Sequence, residues 1–273
     1  MRLELVSIPT PTKPLDGLYY EPDGGAAAGG ALYFHGNTMN FYVGAARFLP
    51  PALTRLGFAS LAFNRRGHDV LSTRDSRQAE GGAFQFAREG IEDNAIAARW
   101  MAGRGFPEPV VIGHSYGGML SVRHVVDHPG TRALVMLSAG RGGATSIREG
   151  AAEGLLTGDR FDEIYERARK LIAEGNGKAL MLTPGWWYAL TAESFIDRLT
   201  EVPDTIGLAP KVKCPILCIR GDKENAQRYP AEEFQRAATA PCTVKIIPDC
   251  DHFYNGREAA VIEAVTSWLR SVL

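Results

Sequence analysis

The chain is 273 residues long, which suits one large domain or one domain carrying an insertion. Apolar residues at 45% and charged residues at 22% exclude a disordered or fibrous chain. Thirty Lys+Arg against 31 Asp+Glu leave no basic excess to offset a phosphate backbone, which argues against nucleic-acid binding as the main role.

Met1–Thr12 lacks the basic head, apolar run and small-residue cleavage site of a secretory leader, so a cytoplasmic protein is expected. No apolar stretch approaches the roughly 18 residues of a membrane span. Short β-branched or apolar runs predict strands over Leu3–Ile8, Leu18–Tyr20, Ala31–His35, Phe58–Asn64, Val110–Gly113, Ala133–Ser138, Ile216–Arg220 and Thr243–Ile247. Gly24–Gly30 reads as a flexible tip between early strands. Amphipathic patterns predict helices near Phe41–Leu56, Ile91–Gly103, Tyr116–His128, Ala231–Ala240 and Arg257–Val272. The last has apolar Ala260, Val261, Ala264, Val265, Trp268 and Leu269 at i, i+3, i+4 spacing.

This alternation predicts an α/β protein with a mostly parallel eight-stranded sheet and helices on both faces. The opening strands lack an intervening helix, which suits an antiparallel start. From about Arg141 to Pro210 the rhythm breaks. No strand is predicted there, and helices are read over Asp159–Glu174 and Thr191–Thr200. The expected organisation is a core of residues 1–140 and 211–273 with an insertion over 141–210. That insertion would emerge at the carboxyl edge of the sheet, where open α/β folds bind ligands.

Val110-Val-Ile-Gly-His-Ser-Tyr-Gly-Gly118 places an apolar strand, then G-x-S-x-G, then a helix. Such a sharp turn strains Ser115 and presents its hydroxyl. The residues two before and two after lie so close that side chains would clash, hence Gly113 and Gly117. The helix N-terminus directs free amides at an oxyanion forming beside Ser115. Ser115 is therefore the candidate nucleophile.

A serine nucleophile needs a base that titrates near neutrality. Of six histidines, only His252 lies in the loop between the last strand and the last helix. His114 reads as a packing residue. His124 and His128 read as solvated positions on the helix after Ser115, while His35 and His68 could orient loops. A carboxylate must hold the tautomer of the base, and the loop after the seventh strand offers Asp222 and Glu224. Asp251 reads as a loop support. His35-Gly36-Asn37 at the end of the third strand is where a second oxyanion donor belongs, which pairs the backbone amides of Asn37 and Tyr116.

Taken together, HGNTMN after the third strand, NRRGHD (Asn64–Asp69) after the fourth, GHSYGG around Ser115, RGDKE and DH resemble the α/β-hydrolase superfamily. Within it the pattern looks like the serine aminopeptidase/lipase-like or feruloyl-esterase-like branch. The resemblance implies a helical cap between the sixth and seventh strands, and no metal or organic cofactor. It also implies an acid at G-x-x-D spacing, which falls on Glu224, with Asp222 as the alternative. The chain departs from the family in having glutamate there, and in Gly67-His-Asp-Val-Leu-Ser72 where G-x-G-x-S is usual.

The function implied is hydrolysis of a carboxylic ester, lactone or small amide, with a small acyl compound as substrate. Carbon–carbon bond hydrolysis or acyl transfer on the same triad is the alternative, and a non-catalytic binding protein the third. Trp186, Trp187 and Tyr188 are candidates to wall an acyl pocket or to form the cap's own core. Arg141 is a candidate contact for a substrate carboxylate. Cys214, Cys218, Cys242 and Cys250 do not fit zinc-knuckle spacings and read as buried thiols.

Overall fold

In a computed structural model, residues 1–24, 28–73, 77–144, 146–185 and 188–273 are described. The strands are β1 (Arg2–Ile8), β2 (Leu15–Glu21), β3 (Gly29–Phe34), β4 (Phe58–Phe63), β5 (Val110–His114), β6 (Leu134–Leu137), β7 (Leu180–Thr183), β8 (Tyr188–Thr191), β9 (Ile216–Gly221) and β10 (Cys242–Ile247). The helices are α1 (Ala45–Thr54), α2 (Ala87–Gly103), α3 (Tyr116–Asp127), α4 (Ser146–Ala152), α5 (Phe161–Ala173), α6 (Ala192–Thr200), α7 (Thr205–Leu208), α8 (Ala231–Ala237) and α9 (Glu258–Val272). All eight expected sheet strands form. Gly29 and Gly30, expected in a flexible tip, instead open β3.

Eight strands make one sheet in the order β1-β2-β4-β3-β5-β6-β9-β10. The β1–β2 and β2–β4 pairs are antiparallel, and the remaining pairs are parallel. β4, β5, β6 and β9 are buried at every position, as strands covered on both faces must be. Successive residues serve opposite faces. Leu32 and Phe34 join Val122 of α3 and Met101 of α2 on one side. Ala31 and Tyr33 join Leu49 of α1 and Val261 of α9 on the other. The stripe expected on the last helix is buried there at Val261, Val265, Trp268 and Leu269.

Between β6 and β9 lies a segment with its own apolar cluster, which includes Leu156, Phe161, Ile164, Met181, Leu190 and Phe195. One expectation fails here: β7 and β8 pair as an antiparallel hairpin. Met181 and Thr183 point inward, whereas Leu180 and Leu182 are 44% and 70% exposed. Apolar residues on both faces hide the period-two polarity by which strands are read. Its side chains bind the segment to the core. Asp197 of α6 accepts a hydrogen bond from the Ala87 amide at the start of α2 (2.7 Å), where the helix dipole favours a carboxylate.

A second expectation also fails. His128 is exposed, but His124 is buried, edge-on to Phe34 at 5.3 Å and stacked on His128 at 4.1 Å. The face of α3 that packs on the sheet includes position 124 as well as Val122 and Val125. Burial pushes the His124 imidazole down to about 3 from 6.5. Above pH 6.5 both folded and unfolded forms are neutral there. Below it only the unfolded chain takes the proton, so stability falls as pH drops, by about 1.4 kcal/mol per pH unit. In urea unfolding at pH 6.5 and roughly two pH units lower, His124→Leu is expected to lose about 2 kcal/mol less than the unaltered protein. Equal losses would show that His124 does not contribute to the acid sensitivity.

Candidate active site

Ser115 sits between β5 and α3 with φ 54° and ψ −119°, a left-handed backbone that costs a non-glycine residue on the order of 1–3 kcal/mol. The turn is tight enough that a Cβ on Gly113 would lie 2.5 Å from the Gly117 carbonyl oxygen. A Cβ on Gly117 would run into the Phe34 and His35 carbonyl oxygens at the end of β3. These are the two positions where side chains were expected to clash. The strained turn delivers the Ser115 hydroxyl to the carboxyl edge of the sheet.

His252, in the loop between β10 and α9, meets it there. Its Nε2 lies 3.0 Å from Ser115 Oγ, and its Nδ1 lies 2.7 Å from Glu224 Oε1. Glu224 therefore fixes the tautomer that carries its proton on Nδ1 and leaves Nε2 facing the serine. The Glu224 side chain is 3% exposed, and its other oxygen is held firmly. Oε2 accepts from the Gly221 amide (2.7 Å) and from the Ser138 hydroxyl (2.6 Å), and Ser138 lies 2.6 Å from the Tyr254 hydroxyl. Burial pushes the Tyr254 phenol well above its ordinary value, so it stays a neutral donor.

Asp222, the alternative acid, is elsewhere. Its Oδ1 accepts from the Cys250 amide at 3.1 Å, and its carboxyl is held below the usual range by backbone hydrogen bonds from Asp249 and Cys250. It braces the loop that carries His252 and does not touch the imidazole. Asp251 does the same from within, accepting from the amides of Phe253 and Asn255 at 3.0 and 3.3 Å.

His114 is a packing residue as expected, and it also supports the base. It is fully buried, and its ring lies 4.9 Å from that of His252. Its Nε2–H donates to the His252 carbonyl oxygen at 2.9 Å. Burial, and the neighbouring His252, push its imidazole down to about 3, so it stays neutral near neutral pH. Tyr229 stacks on the far side of the His252 ring, with centroids 4.8 Å apart.

The loop expected to provide the second oxyanion donor is anchored from below. His35 is fully buried, and its Nε2 accepts from the Arg65 amide (3.1 Å). Its Nδ1–H donates to the Gly36 carbonyl (2.8 Å). Asn37 then joins Ser115 and Tyr116 around a cavity of about 100 Å³. The Asn37 side-chain oxygen accepts from Gln85 Nε2 (2.8 Å) and from a guanidinium nitrogen of Arg198 (2.7 Å). Helix α6 of the inserted segment thus reaches the oxyanion loop directly.

Arg141 is not among the residues of this cavity. Its guanidinium is paired with the Glu233 carboxylate of α8, and its backbone amide bonds to the Arg228 carbonyl (3.1 Å). It therefore fastens the start of the inserted segment to the core. Trp186 and Trp187 lie outside the described residues, and Tyr188 is described only as backbone of β8. Apolar walls come instead from Met119 of α3 and from Ile147, Leu155, Leu156 and Val202. The sequence offers no signal for these, because neither spacing nor residue type marks them out from core positions. Ser138 and Tyr254 had a faint one, as residues directly after a strand end and two after the base.

The four cysteines are free thiols. Cys218 lies 3.9 Å from Cys242 on the neighbouring strand.

A model of the alpha/beta hydrolase family matches residues 31–264 of the chain. We find no curated protein that matches it. Among solved structures it is similar to Est1E from Butyrivibrio proteoclasticus, at 20% identity and TM-score 0.71 over 98% of each chain. A thermostable carboxyl esterase from Bacillus coagulans shares 15% identity and TM-score 0.73, with 100% of this chain and 99% of that one covered. GrgF, an alpha/beta hydrolase from Penicillium sp. sh18, shares 11% and TM-score 0.76 at the same coverage. At such identities these likenesses speak for the fold.

Proposed function

Since the chain belongs to the alpha/beta hydrolase family, we propose that it is a serine hydrolase that cleaves a carboxylic ester through an acyl-enzyme on Ser115. His252 Nε2 takes the hydroxyl proton as Ser115 Oγ attacks the acyl carbon, and Glu224 stabilises the imidazolium that forms. The amides of Asn37 and Tyr116 receive the oxyanion, which is worth about 3 kcal/mol per donor in the transition state. His252 then returns its proton to the leaving alcohol. Water, activated by the same imidazole, releases the acid. Residues 141–210 act as a cap that closes the acyl side of the cavity.

The observation that carries this reading is the unbroken relay from Ser115 Oγ through His252 to Glu224, at 3.0 and 2.7 Å, raised on a strained turn. The esterases among the structural relatives support an ester as the substrate class. A fluorophosphonate probe is expected to label the protein once, on the peptide that contains Ser115. Absence of labelling, or labelling elsewhere, would count against an activated serine.

A further inference from the structure

Two arginines line the cavity that holds Ser115, and they arrive from opposite sides. Arg198 comes from α6 of the inserted segment, and Arg228 from the loop between Glu224 and α8. Arg198 is 8% exposed. Its guanidinium lies on the Asn37 side-chain oxygen at 2.7 Å and over the Tyr116 ring at 5.6 Å. Arg228 lies over the Tyr229 ring at 5.3 Å, the same ring that stacks on His252. Among the described residues no carboxylate lines this cavity. Two buried cations on an otherwise apolar wall are costly unless a ligand uses them.

We propose that the acyl part of the substrate carries its own carboxylate, held between Arg198 and Arg228, so that the favoured substrates are half-esters of short dicarboxylic acids. The idea rests on the ester-hydrolase reading above and narrows it. Planar guanidinium forks match a carboxylate's two oxygens and fix its orientation. The charge balance also selects a monoanion. Glu153 Oε2 lies 3.7 Å from Arg228 and offsets one of the two positive charges, which leaves an excess of one for the ligand. Size points the same way. About 100 Å³ is well below the roughly 300–1,000 Å³ of pockets for drug-sized ligands, so the acyl chain is short.

The arginines also sit where they can influence catalysis. Arg198 holds the side chain of Asn37, whose amide is assigned to the oxyanion hole. A carboxylate that draws on the same guanidinium couples acyl-chain recognition to the loop that stabilises the transition state.

The test compares monomethyl succinate, glutarate and adipate with their methyl-ketone isosteres, in which the free carboxylate becomes a neutral group of equal size. At least one half-ester is expected to exceed its isostere in kcat/KM by about tenfold or more, as one charge-assisted contact provides. Arg228→Gln is expected to bring that ratio back towards one, and Arg228→Lys to retain part of it. Ratios at or below one for all three chain lengths would overturn the carboxylate proposal while leaving the esterase reading intact, since the isosteres themselves report hydrolysis. If neither kind of ester is turned over, the esterase reading falls. Calorimetric titration of the Ser115→Ala protein with the same pairs then decides the carboxylate question. Tighter binding of a half-ester upholds it, and equal or weaker binding of all three overturns it.

Discussion

Ser115→Ala is expected to lower kcat for a short para-nitrophenyl ester by about 10⁶-fold, with His252→Ala close to the same value. The reason is that nucleophile and base act as one unit. Without Ser115 Oγ the imidazole has no proton to take at 3.0 Å, and without the imidazole the hydroxyl stays protonated and weakly nucleophilic. The double variant is accordingly expected to cost no more than either single one. What remains comes from the oxyanion donors and substrate binding, about 10³–10⁴-fold over water. Steady-state rates of the three proteins give the comparison. A Ser115→Ala protein within tenfold of the unaltered one would remove the acyl-enzyme mechanism.

Glu224→Gln is expected to reduce kcat by about 10⁴-fold, whereas Asp222→Asn should alter it no more than a few-fold. The two carboxylates are two residues apart and chemically alike, so the contrast comes from position alone. At Glu224, the Gly221 amide and the Ser138 hydroxyl both donate to Oε2. A glutamine there would place its oxygen on those donors and turn its NH₂ towards His252 Nδ1. That nitrogen would then have to accept, which moves the imidazole proton to Nε2 and leaves nothing to receive the Ser115 proton. Asp222 is solvent-facing and bonds only to backbone amides of the His252 loop, so its amide variant keeps the tautomer. Rates measured for both variants separate the roles. A larger loss at Asp222 than at Glu224 would reverse the assignment.

The parts of this site that were legible in the sequence are those governed by neighbours along the chain. Gly113 and Gly117 flank Ser115 because a strand-to-helix turn leaves no room for a Cβ, and that constraint acts over five residues. His252 was singled out by a loop position between two strongly patterned elements. The choice between Asp222 and Glu224 could not be read with the same force. It depends on how the end of β9 meets the loop after β10, where Gly221 packs against the Cys250 carbonyl.

The hairpin of β7 and β8 escaped because four-residue strands with leucines on both faces carry no alternation. His124 escaped for a related reason. A polar residue on a helix was read as solvated, but Phe34 from β3 covers it.

By itself the sequence determined the α/β layering, the antiparallel start, the strained serine turn and the loop that carries the histidine. Each follows from hydrophobic period or from backbone sterics within a few residues. Only the tertiary structure decided which carboxylate holds His252, that Arg141 is spent on Glu233, and that Arg198 lies against Asn37, 161 positions away. Those contacts are made by the packing of distant elements, and no local pattern encodes which side chains will meet across it.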